Sequence, residues 1–210
     1  MDFVFQRTYR GPLKAVILDW AGTTMDYGCF APAVVFIEVY KRRQIPITIE
    51  QARKPMGAHK KVHIREISQI EEVANTWREV HKRPCTEEDV ESMFQDFVPL
   101  QLACLKDYAD LIPGTLEAIR DFRRRGLKIG STTGYNRPIM DTVVPLAAAQ
   151  GFAPDNLVCA GDLPESRPSA AGMLHTLTVL GGIAPQRAVK VDDTLPGLLE
   201  GRNAGAWTVA

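Results

Sequence analysis

Cysteine is scarce in this chain of 210 residues, and there is no excess of charge of either sign. The four cysteines, Cys29, Cys85, Cys104 and Cys159, lie far apart and form no CxxC pair. That spacing argues against a disulfide framework and suits reduced thiols in a cytoplasmic protein. Lys+Arg and Asp+Glu balance at 25 each, so the basic excess of a nucleic-acid binder is missing. No apolar run reaches the ~18 residues of a membrane span. The opening residues, Met1 to Gly11, carry no apolar stretch or cleavage site of a secretory signal. What is present is the composition of a globular protein: 45% hydrophobic and 24% charged residues, with 16 Gly and 14 Pro. This excludes a disordered, collagenous or low-complexity chain, and the length allows one or two domains.

The apolar run Ala15-Val-Ile-Leu18 reads as a strand buried on both faces of a parallel sheet, ending at Asp19 in a polar turn. From about Phe30 to Tyr108 the pattern is helical: Ala33 to Tyr40, a polar stretch from Thr48, and one apolar stripe of Ile64, Ile67, Ile70, Val73 and Trp77. A further helix starts at Thr86-Glu-Glu-Asp89. From Ile112 strands and helices alternate. Short strands are expected at 127–130, 157–160 and 188–191 and from Trp207; helices at 115–125, 138–150, near 170–180 and near 198–204. This predicts an α/β fold, a doubly wound, Rossmann-like parallel sheet with an all-helical cap inserted after the first strand. The expected core is 1–29 with 109–210, and the cap is 30–108.

In such a sheet the ligand site lies beyond the carboxyl ends of the strands. Asp19, Ser131–Gly134, Glu165–Pro168 and Asp192–Thr194 all fall there. Asp19 suits a nucleophile or a metal ligand, or simply a turn former. With Asp192 and Asp193 it forms a set of carboxylates that cannot all stay charged without a cation, for which Mg²⁺ is the natural partner. Thr132 and Thr133 suit either phosphoryl oxygens or a capped turn. His59 and His63, at i and i+4, allow a zinc reading, but Lys60 lies between them and no third ligand is evident. The Arg123-Arg-Arg125 run reads as a solvated helix end, and His175 and Cys159 as structural.

Asp19-Trp-Ala-Gly-Thr-Thr24, Ser131-Thr-Thr-Gly134, Arg167-Pro168 and Asp192-Asp-Thr-Leu-Pro-Gly197 resemble the four loop motifs of the haloacid dehalogenase superfamily. More narrowly, Arg53-Lys-Pro-Met-Gly-Ala-His-Lys60-Lys-Val-His63-Ile-Arg65 resembles the lid motif of the phosphonoacetaldehyde hydrolase family, and the resemblance spans nearly the whole chain. It implies cleavage of the C–P bond of a small phosphonate by a cytoplasmic homodimer paired through the cap. Asp19 would be the nucleophile, Lys60 the Schiff-base lysine and His63 a proton shuttle near the imine. Mg²⁺ would be held by Asp19, the Ala21 carbonyl and Asp193. Thr133 and Arg167 would bind phosphoryl oxygens, and Met56, Gly57, Cys29 and Tyr135 would line the pocket. Cys29 reads equally well as a plain buried thiol.

The chemistry of the residues agrees. Ala21 stands where superfamily phosphatases carry a general acid for a leaving alkoxide, and alanine cannot give a proton. A departing carbanion instead needs an electron sink, which a lysine iminium provides. Like charges at Lys61 and Arg65, with lid closure, would favour the free amine that imine formation requires. Chemistry alone leaves open whether Lys60 or Lys61 is that lysine.

Three departures stand out. Where some relatives carry a second acid after the Asp-Thr pair, this chain has Gly197, and Asp192 is expected to take over its place in the metal shell. Ser166 replaces a glycine before Arg167. The family continues beyond the Trp207 strand, so part of one sheet face is expected to be uncovered. The alternatives are another phosphatase of the superfamily, or a non-catalytic relative that only binds ligand.

Overall fold

The computed structural model describes residues 11–27, 30–56 and 58–210. Strand β1 (Ala15–Leu18) is followed by helices α1 (Phe30–Lys41), α2 (Ile49–Arg53), α3 (Lys60–Ser68), α4 (Glu71–His81) and α5 (Glu87–Cys104). The chain then alternates: α6 (Thr115–Arg124), β2 (Lys128–Asn136), α7 (Arg137–Ala149), β3 (Asn156–Ala160), α8 (Ala171–Val179), β4 (Ala188–Val191), α9 (Leu195–Ala204) and β5 (Trp207–Val209). The strands form one parallel sheet in the order β3-β2-β1-β4-β5.

β1 is central, and its alternating side chains feed two cores. Val16 and Leu18 pack with Ile129, Ile139, Val143 and Phe152 on one face. Ala15 and Ile17 pack with Met173, Leu177 and Ala188 on the other. This explains the unbroken apolar run: both faces are covered by helices. Register sets the site. Leu18 pairs with Ser131 on one side and Val191 on the other, so the next residues, Asp19, Thr132 and Asp192, stand at one level on three adjacent chains, Asp19 and Asp192 just beyond β1 and β4 and Thr132 within β2.

The inserted helices have their own apolar centre, with Phe36, Tyr40, Ile64, Ile67, Trp77, Met93 and Phe97 buried together. Thr86 and Asp89 exchange bonds at the start of α5, as the sequence signature predicts. The stripe from Ile64 to Trp77 is not one helix. Gln69 ends α3, and Ile70 turns to an extended conformation before α4. Helical spacing carries through the break because both helices face the same centre. Ile64, Ile67, Val73 and Trp77 are therefore buried inside the cap, with Ile70 packed against them.

Two further boundaries differ from expectation. β2 runs on through 131–134, because β3 pairs with it to Thr132 and again at Asn136 across an irregularity. α9 starts at Leu195 because Thr194 caps it and Pro196 fits its first turn. Among the described residues no helix is long and apolar enough to cross a membrane.

Candidate active site

Asp19 leaves β1 with 4% of its surface exposed. Its Oδ1 lies 2.9 Å from Nη2 of Arg167, so Ser166 in place of glycine leaves the arginine within reach of Asp19. Arg167 also donates to the Thr132 carbonyl and lies 3.2 Å from both Asp192 and Glu200. Its Nη1 is buried with no hydrogen-bond partner, which leaves one donor of the fork for another acceptor. Beneath it Lys190, with no exposed surface, donates to Thr132 Oγ1 at 2.7 Å and pairs with Asp192 at 3.0 Å. Glu200 accepts from Thr132 Oγ1 at 2.6 Å.

Sequence reasoning missed Lys190 and Glu200. The available signal was a lysine inside Ala188-Val-Lys-Val191, a strand covered on both faces, where an unpaired ammonium is not tolerated. Of the two readings of Thr132, phosphoryl oxygens or a capped turn, its hydroxyl serves neither, being held by Lys190 and Glu200. Thr133, 6% exposed, lines a cavity with Asp19.

Burial raises the Asp19 carboxyl, Arg167 lowers it, Asp192 raises it, Lys190 lowers it and Asp193 raises it, leaving it at about 6. For Asp192, burial acts upward, but Arg167 and Lys190 outweigh it and hold the carboxyl below the usual range. Asp193 is exposed and accepts from Thr23 Oγ1 at 3.0 Å. Oxygens of Asp19, Asp192 and Asp193 lie within 4.8 Å of one another. Among the described residues, Arg167 and Lys190 form ion pairs with Asp19, Asp192 and Glu200 of this cluster. The oxygen-only donor set of Asp19, Asp192 and Asp193 fits one hard divalent cation.

The cap supplies the opposite wall. Lys60, 3% exposed, is the first residue of α3, and its Nζ lies 5.0 Å from the Tyr135 ring and 5.7 Å from the Phe36 ring. Asp19, Ala21, Met56, Lys60, Thr133, Tyr135 and Arg167 line the same cavity. Lys61 points elsewhere and is bound to Glu91 of α5, which separates the two lysines that chemistry alone left open. A wider cleft of ≈ 660 Å³, lined by Arg53, Met56, Arg167 and Asp193 among others, leads to the site.

His63 has no exposed surface. Its Nε2 lies 2.8 Å from the Ala52 carbonyl and its ring stacks on Phe36 at 3.9 Å. Burial, then the Lys60 charge, lower its pKa to about 3. This arrangement braces α3 against α2 rather than opening to the cavity, and among the described residues the one cluster able to hold a metal is Asp19, Asp192 and Asp193, without His59 or His63. Cys29 and Gly57, the remaining expected pocket residues, lie outside the described residues.

A family model described as a haloacid dehalogenase-like hydrolase matches residues 13–205. The chain is 44% identical over 209 residues to a phosphonoacetaldehyde hydrolase of Hahella chejuensis, covering 100% of this chain and 71% of that one. It is 46% identical over 197 residues to the enzyme of that name from Bacillus cereus, covering 94% and 75%. Among solved structures, a phosphonoacetaldehyde hydrolase-like protein from Oleispira antarctica superposes with a TM-score of 0.92 at 37% identity, covering 99% and 74%. The central strand ending in Asp19, the helical insert that follows it and these likenesses agree: the chain belongs to the haloacid dehalogenase-like hydrolases, in the phosphonoacetaldehyde hydrolase family.

Proposed function

We propose that this protein hydrolyses the C–P bond of phosphonoacetaldehyde to acetaldehyde and phosphate. The observation that carries the reading is that Lys60 of the cap and Asp19 of the core line one cavity, while Ala21 provides no acid for an alkoxide leaving group. The amine of Lys60 adds to the aldehyde carbon and, with loss of water, forms an imine that takes up a proton. The Asp19 carboxylate attacks phosphorus. The C–P electron pair moves into the iminium, giving an enamine and an aspartyl phosphate. Water then releases phosphate from Asp19. The enamine accepts a proton on carbon, and a second water frees acetaldehyde and the lysine.

Thr133 and the open Nη1 of Arg167 hold phosphoryl oxygens, and Met56 and Tyr135 contact the two-carbon chain. His63 supports Lys60 through α3. The Asp cluster implies a metal-dependent enzyme; Asp19, Asp193 and the Ala21 carbonyl are the groups suited to Mg²⁺, which when bound neutralises phosphoryl charge. Lys60→Arg keeps the positive charge but cannot form the imine. It is expected to lose turnover by several orders of magnitude, whereas Lys61→Arg stays close to wild type. Full activity in Lys60→Arg would overturn the proposal.

The division into a cap of 30–108 and a core of 1–29 with 109–210 is part of this reading, supported by the separate apolar centres. A cytoplasmic setting is supported by the free thiols of Cys85, Cys104 and Cys159. A homodimer through the cap rests on the family resemblance, since the Ile64–Trp77 stripe is buried.

A further inference from the structure

The chain passes between core and cap twice, and the two passages are tied together at Asp26. Its N–H donates to the Asp110 carbonyl at 3.2 Å, Met25 pairs with Leu111, and the Ile112 N–H donates to the Thr24 carbonyl at 2.9 Å. Thr24 Oγ1 in turn donates to the Asp19 carbonyl at 2.9 Å. A run of bonds therefore joins the end of β1 to the point where the cap begins.

At that point Asp26 is buried and adopts a φ of 52°, a left-handed conformation that aspartate and asparagine tolerate better than most side chains. Its carboxylate meets the first turn of α1. One oxygen accepts from Phe30 N and the other from Ala31 N, each at 3.0 Å. Both are N–H groups that a helix leaves unpaired by itself.

The same turn walls the cavity shared by Asp19 and Lys60, because Pro32 lines it with them. One turn further along α1, the Phe36 ring lies 5.7 Å from Lys60 Nζ. The Arg53 guanidinium sits 4.7 Å over the ring of Phe30. Burial lifts the Asp26 carboxyl above its ordinary pKa, and the N–H groups of Ala31 and Phe30, with the charges of Arg53 and Lys60, work against that rise. A buried acid thus stands at the α1 end of the cavity that holds Lys60.

We propose that Asp26 is a positioning residue for the cap lysine: it holds the wall that Pro32 and Phe36 present to Lys60, and its negative charge stabilises the cation that forms when the Lys60 amine condenses with an aldehyde. The proposal rests on the Schiff-base role given to Lys60 above. A helix cap alone would contribute stability and nothing more. A residue acting through Lys60 controls imine formation while leaving the phosphoryl end of the site, built by the core, as it is.

The test uses the full chain and acetaldehyde, the carbon product of the proposed reaction, so that no C–P bond is involved. The Lys60 amine and acetaldehyde lose water to form an imine, which takes up a proton; borohydride then delivers hydride to its carbon and leaves N-ethyl-lysine. The readouts are the rate of trapping at Lys60 by mass spectrometry, the melting temperature, and the affinity for inorganic phosphate in the presence of Mg²⁺. Asp26→Asn removes the charge but keeps a side chain that caps helices and accepts this backbone. Asp26→Ser is a second, shorter neutral cap. Both are expected to fold, to bind phosphate within about twofold of wild type, and to be trapped about tenfold more slowly. Trapping at the wild-type rate in a folded neutral variant would overturn the proposal. So would a parallel loss of phosphate affinity, or two variants that do not fold, because Asp26 would then serve the fold and not the lysine. A wild-type protein that is not trapped at Lys60 would remove the lysine reading itself and this proposal with it, whereas a trapped wild type with equally trapped variants would remove the proposal alone.

Discussion

At Asp19 two demands oppose each other: the proposed nucleophile should be ionised, yet this carboxylate is buried among others. Arg167 and Lys190 offset part of that penalty, and the group still rests near 6. Replacing Asp19 by Asn removes one negative charge from the cluster and leaves Asp192 and Glu200 opposite Arg167 and Lys190. Asp19→Asn is therefore expected to lose turnover by roughly 10⁴-fold or more while melting at or above the wild-type temperature, as happens when an active-site strain is relieved. Turnover within tenfold of wild type, or a large fall in melting temperature, would count against this account. Asp19 was legible in the sequence as a site candidate because Thr133, Asp192 and Asp193 fall in loops at the same end of the expected sheet. Lys190 and Glu200 were not, because their partnership crosses from a strand to the following helix and shows no fixed spacing. Gly197 was legible as a departure, but only the geometry shows that the Asp192 carboxylate fills its place.

At the scale of elements, α3 matters most, because its first residue is Lys60. The helix is fixed from three sides. His63 bonds the Ala52 carbonyl beside α2, and Tyr40 of α1 donates to the Ile64 carbonyl at 2.6 Å. Lys61 and Arg65 pair with Glu91 and Glu87 of α5. The last two pairs are solvent-screened and contribute little; the buried histidine is the stronger fixture. Its folded pKa, about 3, lies below the 6.5 of the unfolded chain. Between these values the unfolded state binds the extra proton, so stability is fully present above pH 6.5 and declines as pH falls towards 3. The slope is at most ~1.4 kcal/mol per pH unit for one such group. His63→Gln, which retains a donor for Ala52, is expected to flatten that decline in denaturant titrations at pH 7, 6 and 5. An unchanged slope would show that His63 does not couple pH to the fold. The break at Gln69–Ile70 escaped the sequence because no glycine or proline marks it and apolar spacing continues across it. The extension of β2 escaped because Ser, Thr and Gly read as a loop when the partner strand is unknown.

At the scale of the molecule, alternation of strands and helices after Ile112 made the sheet readable, and the all-helical stretch before it made the cap readable. The two meet where the central strands end, and this meeting brings Lys60 to Asp19, a juxtaposition that no local pattern encodes. The cap stripe is consumed internally, so the sequence argument for a paired cap has lost its support. A homodimer is still expected from the family resemblance, and light scattering at micromolar protein showing only monomer would remove it. The central claim is covalent catalysis by the cap lysine. Borohydride reduction in the presence of phosphonoacetaldehyde, followed by mass spectrometry of the digested protein, tests it most directly. The account predicts one substrate-dependent adduct, on the peptide bearing Lys60, absent from Lys60→Arg. An adduct confined to Lys61, or no adduct in a preparation that turns over substrate, would contradict it.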